Sequence, residues 1–275
     1  MPELPELEVI KQRLIPLVVG KSIKGLSIIK PYVLKSYFNG DLNGETIEGI
    51  TRRGKYLEFQ LTSHKIYIHL MLYGSVAYIP PSVKPKKSAT ALLFLENGAS
   101  IEFSENTKKK RMAVYIKPKN EIPTSIENLG LEPLSQGFTM EELDRLLKSE
   151  AKQLKSLLCR QSMIAGIGNA YADEILWNAG LSPFKLSTNL SKQETKKLHR
   201  AIIEVLKWAI QAARHSKRLD KRDFLQIHGR KGRPCPRCGD TISTVSFAQS
   251  DTFYCPKCQT GGRKLKDRRM SRFYR

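Results

Sequence analysis

Leu7, Ile10, Leu14 and Leu17 recur at helical spacing near the start of the chain, which predicts a first helix interrupted near Pro16 and closed by Gly20. Beyond Gly20 the period changes to two. Leu57, Phe59 and Leu61 alternate with Tyr56, Glu58 and Gln60, and Ile66, Ile68 and Leu70 alternate with Tyr67, His69 and Met71. Leu93 and Leu95 lead into Asn97-Gly98, a strong hairpin signal, and Ile101 and Phe103 follow it. Short strands with turn signals, running as far as Ile116, predict a β-sandwich or barrel. Within it, Arg52-Arg53-Gly54-Lys55 falls between two strand patterns and reads as a hairpin tip, and His69 reads as a strand residue with no catalytic duty.

From Lys117 to Pro133 there are three prolines, few large apolar residues and no period, as in an interdomain linker. Helical patterns follow. Thr139-Met140-Glu141-Glu142 and Ser191-Lys192-Gln193-Glu194 both fit a capping box, and the helix opened by the second carries Leu198, Ile202, Val205, Leu206 and Ala209. The resulting fold class is α+β with two domains. The divisions are 1–117 for the β-rich part with its first helix, 118–134 for the linker, 135–226 for the helical part and 227–275 for a cysteine-bearing end.

A chain of 275 residues, 40% of them hydrophobic, can bury one large core or two ordinary ones. Its charge changes the picture more. Lys and Arg number 47 against 26 Asp and Glu, a net +21 with a pI near 9.8, which calls for a polyanionic partner. An anionic membrane is the rival, but the sequence holds no long basic amphipathic helix, lipidation motif, secretory signal or spanning segment; the apolar run from Leu14 to Val19 is short and contains Pro16. Nucleic acid is therefore the expected partner and the cytoplasm the expected compartment.

The five cysteines fit metal binding better than a disulfide framework. Cys235-Pro-Arg-Cys238 and Cys255-Pro-Lys-Cys258 are two C-x-x-C pairs with 16 residues between them, the pattern of one structural, tetrahedral zinc held by four thiolates. Such a site contributes about 10–16 kcal/mol in zinc-finger peptides, enough to fold a ribbon with little core. From Gln226 onward there are 12 Lys and Arg against 3 Asp and Glu, so this end carries +9 of the net charge. The basic stretch from Gly261 to Arg269 reads either as a phosphate tracker or as a solvated tail.

Two further stretches carry candidate chemistry. In Met1-Pro2-Glu3-Leu4-Pro5-Glu6, removal of Met1 would leave Pro2 with a terminal secondary amine, a good nucleophile toward an electrophilic sugar carbon, with Glu3 beside it as proton donor or acceptor. An ordinary α-amino group titrates near about pH 8, so a useful fraction is neutral at pH 7. On spacing alone, Pro and Glu are equally what the first turn of a helix prefers. The run from Ala165 to Leu176, with Gly166, Gly168 and Asn169, is a glycine-containing turn feeding a helix whose free N–H groups suit an anion, with Gly180 as its stop.

Taken together, PELPELE at residues 2–8, the string around Asn169 and the terminal cysteine quartet resemble the formamidopyrimidine-DNA glycosylase and endonuclease VIII family over nearly the whole chain. The resemblance implies a helix–two-turns–helix element around Asn169 and a bifunctional DNA glycosylase and abasic-site lyase acting, as a single chain, on double-stranded DNA with a damaged or abasic nucleotide. It implies Pro2 as the nucleophile at C1′, Glu3 as acid/base, Glu6 as support, and Lys55 as a lysine reaching substrate phosphate. Asn169 and Lys155 match phosphate ligands, and Cys159 stands where Asp is common. The implied reaction removes an oxidised base and cuts the strand by β- then δ-elimination through a Schiff base on Pro2.

Four departures stand out. The inserted methionine of the family becomes Leu72, with Met71 beside it, and the family's Arg and Phe facing the opposite base have no recognisable counterpart in 105–112. Cys258-Gln259 is followed by Thr260-Gly261-Gly262 instead of Arg, leaving Arg263 as the candidate substitute, and the segment 214–227 is short. A non-catalytic damage-binding protein on this scaffold, or a zinc-ribbon RNA-binding protein, would share the charge and the cysteines. The intact Pro2, Glu3 and Lys55 argue against the first of these rivals, and the second explains nothing about the amino terminus.

Overall fold

The computed structural model describes residues 1–107, 111–216, 218–219, 221–247 and 250–265, the side chains of 247 and 250 excepted. The chain divides into two compact units, the first Met1–Asn128 and the second mostly from Leu129 onward.

The first unit opens with helix α1 (Leu4–Val18). Among the described residues eight strands follow: β1 (Ile23–Ile28), β2 (Ile47–Arg53), β3 (Tyr56–Leu61), β4 (His64–His69), β5 (Gly74–Ile79), β6 (Ala89–Leu95), β7 (Ser100–Glu105) and β8 (Ala113–Pro118). They form two antiparallel four-stranded sheets, β1-β6-β7-β5 and β2-β3-β4-β8, the expected sandwich. The alternation read in β3 is the alternation of burial: Leu57, Phe59 and Leu61 are fully buried between half-buried neighbours. Phe59 meets Phe103 edge-to-face across the core, with ring centroids 6.2 Å apart. Asn97-Gly98 turns the β6–β7 hairpin, with Gly98 at φ +82° and Asn97 Oδ1 accepting the Ala99 N–H at 3.1 Å.

Helix α1 does not break at Pro16, contrary to the expectation from sequence. Proline inside a helix costs about 3 kcal/mol through a lost hydrogen bond and a clash. Leu14 and Val18 flank it and are both buried in the sandwich core, and that burial offsets the cost for one further half-turn. Gly20, at φ +79°, then turns the chain away. Within the expected linker, β8 runs through Pro118 and a short helix α2 (Thr124–Glu127) buries Ile126.

The second unit carries α3 (Met140–Ser149), α4 (Leu154–Cys159), α5 (Asn169–Ala179) and α6 (Lys192–Arg214), then the hairpin β9 (Ser243–Phe247) and β10 (Ser250–Tyr254) and a short α7 (Pro256–Gln259). Ser191 and Glu194 form the full capping box expected for α6, and Leu198, Ile202, Val205, Leu206 and Ala209 are its buried face. At α3 only half the box forms. Thr139 accepts the Glu142 N–H at 3.2 Å, but its own N–H is committed to the Gly137 carbonyl and Glu142 turns to Arg145. Gly180 ends α5 in the left-handed conformation, φ +67°, as its position in the sequence suggested. Among the described residues no helix is long and apolar enough to cross a membrane.

Candidate active site and nucleic-acid interface

The first turn of α1 is locked by its own carboxylates. Glu3 caps the helix, and Glu6 Oε2 accepts the Glu3 backbone N–H at 2.8 Å in a reciprocal box. Both acids are almost fully buried, at 3% and 1% exposure, whereas Pro2 is half-buried and Met1 exposed. The residue after Pro2 is therefore held rigidly at backbone and side chain.

One turn further along α1, Glu8 accepts from Arg52 Nε at 3.2 Å and pairs with Lys11. Burial alone would raise the Glu8 carboxyl, but Lys11 and Arg52 on either side hold it below its ordinary value. The same Arg52 donates to the Gly54 carbonyl at 3.0 Å, so one side chain ties the β2–β3 turn to α1. That turn is the expected hairpin tip, two residues long, with Gly54 at φ +55° and the Lys55 side chain buried at 5% exposure.

His69, expected as a strand residue with no catalytic duty, ends β4 close to Tyr56 and Lys55. The β3–β4 register sets Tyr56 opposite His69, and their rings meet edge-on at 4.7 Å. Burial and then the nearby Lys55 ammonium depress the imidazole to about 4. Its Nδ1 accepts the Met71 N–H at 3.0 Å, so the neutral ring carries its proton on Nε2 and is a donor at that atom. The available signal was the register itself: a histidine one strand across from the residue after a hairpin tip.

The connection after His69 presents the residues expected to enter the DNA stack. Gly74 N–H closes it on the Leu70 carbonyl at 2.8 Å, and Met71 adopts φ +52°, a conformation costly for a side-chain-bearing residue. Met71 is half-buried, whereas Leu72 and Tyr73 are 43% and 59% exposed. At the other altered loop, the buried Glu105 carboxylate accepts from Arg111 N at 3.0 Å, Met112 N at 3.2 Å and the Tyr32 hydroxyl at 3.2 Å. Met112 is wholly inside the core and Arg111 is exposed, while Lys108, Lys109 and Lys110 lie outside the described residues.

In the second unit, Gln161 builds the turn that feeds α5. Its amide accepts the Gly166 N–H at 3.0 Å and donates to the Ile167 and Cys159 carbonyls at 2.7 and 3.0 Å. Gly166 sits at φ +88°, Gly168 caps the helix, and half-buried Asn169 is its first residue, with no acid in the first turn to repel an anion. Cys159 Sγ lies 3.9 Å from Asn169 Oδ1.

Lys155 turns inward. Its ammonium lies 2.8 Å from Asp173 Oδ1 and donates to the Asp251 carbonyl at 2.6 Å, with 7% of the residue exposed. Asp173 also meets His228 Nδ1 at 2.8 Å, and its neighbour Glu174 accepts three backbone N–H groups from Gln226, Ile227 and His228. Two buried acids on α5 thus hold α4 and the segment leading to the cysteines.

The four cysteine sulfurs all lie within 4.8 Å of one another, with Cys238 3.4 and 3.5 Å from Cys258 and Cys255, and Cys235 4.0 Å from Cys258. Four thiolates about 2.3 Å from one tetrahedral ion stand about 3.8 Å apart, so the donor set fits zinc. Asp240 and Gln259 hold the two knuckles: the Asp240 carbonyl accepts from Cys235 N at 2.7 Å and its carboxylate from Lys257 N at 3.1 Å, and Gln259 accepts from Cys255 N at 2.9 Å and donates to the Leu181 carbonyl at 2.9 Å. Arg263 is exposed just beyond α7, and Lys266 to Arg269 of the basic tail fall outside the described residues.

Three family models match the chain in order: the formamidopyrimidine-DNA glycosylase N-terminal domain over 1–112, its H2TH domain over 129–220, and the zinc finger found in FPG and IleRS over 232–261. The formamidopyrimidine-DNA glycosylases of Enterococcus faecalis and Geobacillus kaustophilus are 35% and 32% identical over 97% and 94% of the chain and all of theirs. The chain belongs to the formamidopyrimidine-DNA glycosylase family. Among solved structures, the Lactococcus lactis Fpg in complex with DNA containing an abasic site superposes with a TM-score of 0.86 at 29% identity, covering 94% of this chain and 99% of that one. A MutM in complex with DNA containing carbocyclic 8-oxo-G matches at 0.85, with 29% identity over 94% and 100%. The family's zinc finger spans all four cysteines, so the ion they hold is a structural zinc; with four thiolates it keeps no open position for substrate or water.

Proposed function

We propose that the chain excises damaged bases from double-stranded DNA and then cleaves the abasic site, with the Pro2 nitrogen as nucleophile once Met1 is removed. The observation that carries this reading is the amino-terminal lock, in which Glu6 fixes Glu3 directly after Pro2 in a segment with almost no exposed carboxylate. A rigid acid beside a terminal secondary amine is what attack at a sugar carbon needs. The amine lone pair forms the bond to C1′ as the C1′–O4′ bond breaks, Glu3 passing the amine's proton to the released ring oxygen; the nitrogen lone pair then expels the base, which leaves with the glycosidic electron pair and takes a proton from water. The resulting iminium acidifies C2′, so loss of that proton expels the 3′ phosphate. A second elimination expels the 5′ phosphate. Oxidised bases are the substrates favoured by the solved relatives, one of which holds DNA containing carbocyclic 8-oxo-G.

Lys55 and the Nε2–H of His69 would contact the backbone around the extruded nucleotide, and Leu72 would fill the step it leaves. The amino terminus of α5 with Asn169 would take a phosphate. Arg263 and the finger's net charge add sequence-independent grip. Lys155, with its ammonium inside, is reassigned from phosphate contact to holding α4 against α5. The reaction belongs in the cytoplasm, on nucleoid DNA.

Borohydride trapping on DNA with an abasic site tests the reading. The reduced adduct is expected on Pro2, and retaining Met1 should remove both excision and strand cleavage while zinc content and binding persist. An adduct on Lys55, or undiminished activity with Met1 in place, would overturn the assignment. Binding without any adduct would favour the non-catalytic damage-binding alternative, for which the absence of a recognisable residue facing the opposite base in 105–112 speaks.

A further inference from the structure

Trp177 lies in the last turn of α5, facing the cysteine quartet. Its indole Nε1–H donates to Cys235 Sγ at 3.3 Å. The other side of the contact is held by Arg237, between the two cysteines of the first knuckle: its guanidinium stacks 4.5 Å from the Trp177 ring centroid and donates to the Asn178 carbonyl at 3.1 Å. The ring packs against the small finger core of Ile227, Cys235, Ile242 and Cys255. The first knuckle therefore grips the indole whose N–H serves the knuckle's own first sulfur.

Four thiolates around one Zn2+ leave a net charge of −2, and an N–H aimed at a thiolate disperses part of it. Partners of this kind fix ligand orientation and set metal affinity. Phenylalanine could supply the same packing and the same face to Arg237, so the part of Trp177 that packing does not explain is its N–H.

We propose that Trp177 is a positioning residue of the zinc site, its indole N–H holding the Cys235 thiolate and retaining the ion, so that the finger is fastened to the helix whose first residue is Asn169. The proposal rests on the four-cysteine zinc reading. It assigns no contact with DNA to Trp177.

The test uses the full chain. Zinc in the wild-type protein is measured first, and a zinc-free wild type would refute the metal reading itself and the proposal with it. In Trp177→Phe, competition with a chromophoric chelator should then show zinc held about 10–100-fold more weakly. With Co2+ in the site, the sulfur-to-metal charge-transfer band of that variant should move to longer wavelength, because the thiolate that loses its hydrogen bond becomes easier to oxidise. A purely packing role would leave that band in place. Should Trp177→Phe fail to fold, the native ring still reports: in 113Cd-substituted protein carrying Trp208→Phe, the Trp177 indole proton should show scalar coupling to the metal through the hydrogen bond. Unchanged zinc affinity with an unmoved band, or no coupling to cadmium, would overturn the proposal.

Discussion

Gly74→Ala isolates the turn that exposes Leu72. Gly74 opens β5 without a positive φ, so alanine meets no backbone penalty there, and the whole cost is contact. A Cβ built at Gly74 would stand 2.3 Å from the Leu70 carbonyl oxygen and 3.0 Å from its carbon. Reaching even the 3.0 Å that real Cβ atoms respect requires a shift of about 0.7 Å between backbone segments. That shift breaks the 2.8 Å hydrogen bond from Gly74 to Leu70, worth about 1 kcal/mol, and overpacking adds about 1–3 kcal/mol. The first unit should lose about 2–4 kcal/mol in denaturant unfolding. Displacing Leu72 by most of an ångström should slow single-turnover cleavage of an abasic site in duplex DNA by about 100-fold. The same site in a single strand needs no wedge and should be cut within about threefold of the wild-type rate. Equal losses on the two substrates would refute the wedge; unchanged stability would refute the steric argument.

Because His69 is depressed to about 4 from its ordinary 6.5, the unfolded chain binds more protons between those values; its contribution to stability is complete above about pH 6.5 and falls as pH drops toward 4. His69→Gln should flatten that acid limb in urea titrations from pH 4 to 7, and an unchanged limb would count against the assignment. Asn169→Ala should weaken DNA binding alike for every lesion, and wild-type log K should fall against log salt with a slope of roughly −5 if about six phosphates are neutralised; a slope near zero would mean the +21 charge is not the interface. Lys155→Ala leaves the Asp173 carboxylate buried with one partner fewer and should cost about 3 kcal/mol of stability in the second unit; full stability with reduced DNA affinity would return Lys155 to the phosphates. An abasic duplex should be cut faster than one containing 8-oxoguanine, given the short 214–227 segment; equal rates in single turnover would refute this.

Much of the fold was legible because its causes are local. The period-two run in Leu57, Phe59 and Leu61, the Asn97-Gly98 turn and the Ser191–Glu194 cap each depend on residues within a few positions. What escaped depends on partners distant in sequence. Whether α1 passes Pro16 is decided by where Leu14 and Val18 are buried, and Lys155 faces inward because Asp173 and the Asp251 carbonyl, 18 and 96 positions away, receive it. The half-made box at Thr139 was spoiled by Gly137, which took the N–H that Glu142 needed. The zinc ligands were readable because metal geometry fixes their spacing, whereas His69 gained its place from strand register alone.

The Glu105 clamp has an evolutionary consequence. A single carboxylate at the end of β7 receives the chain again at Arg111 and Met112, with Tyr32 steadying it from outside the loop. The end of β7 in one sheet is thereby tied to the residues that lead into β8 of the other before any residue between them matters. Length and composition between these fixed points can drift without unzipping β7 from its neighbours, so the excursion behaves as an exchangeable cassette. A lineage could rewrite 106–110 while the amino-terminal lock stays untouched.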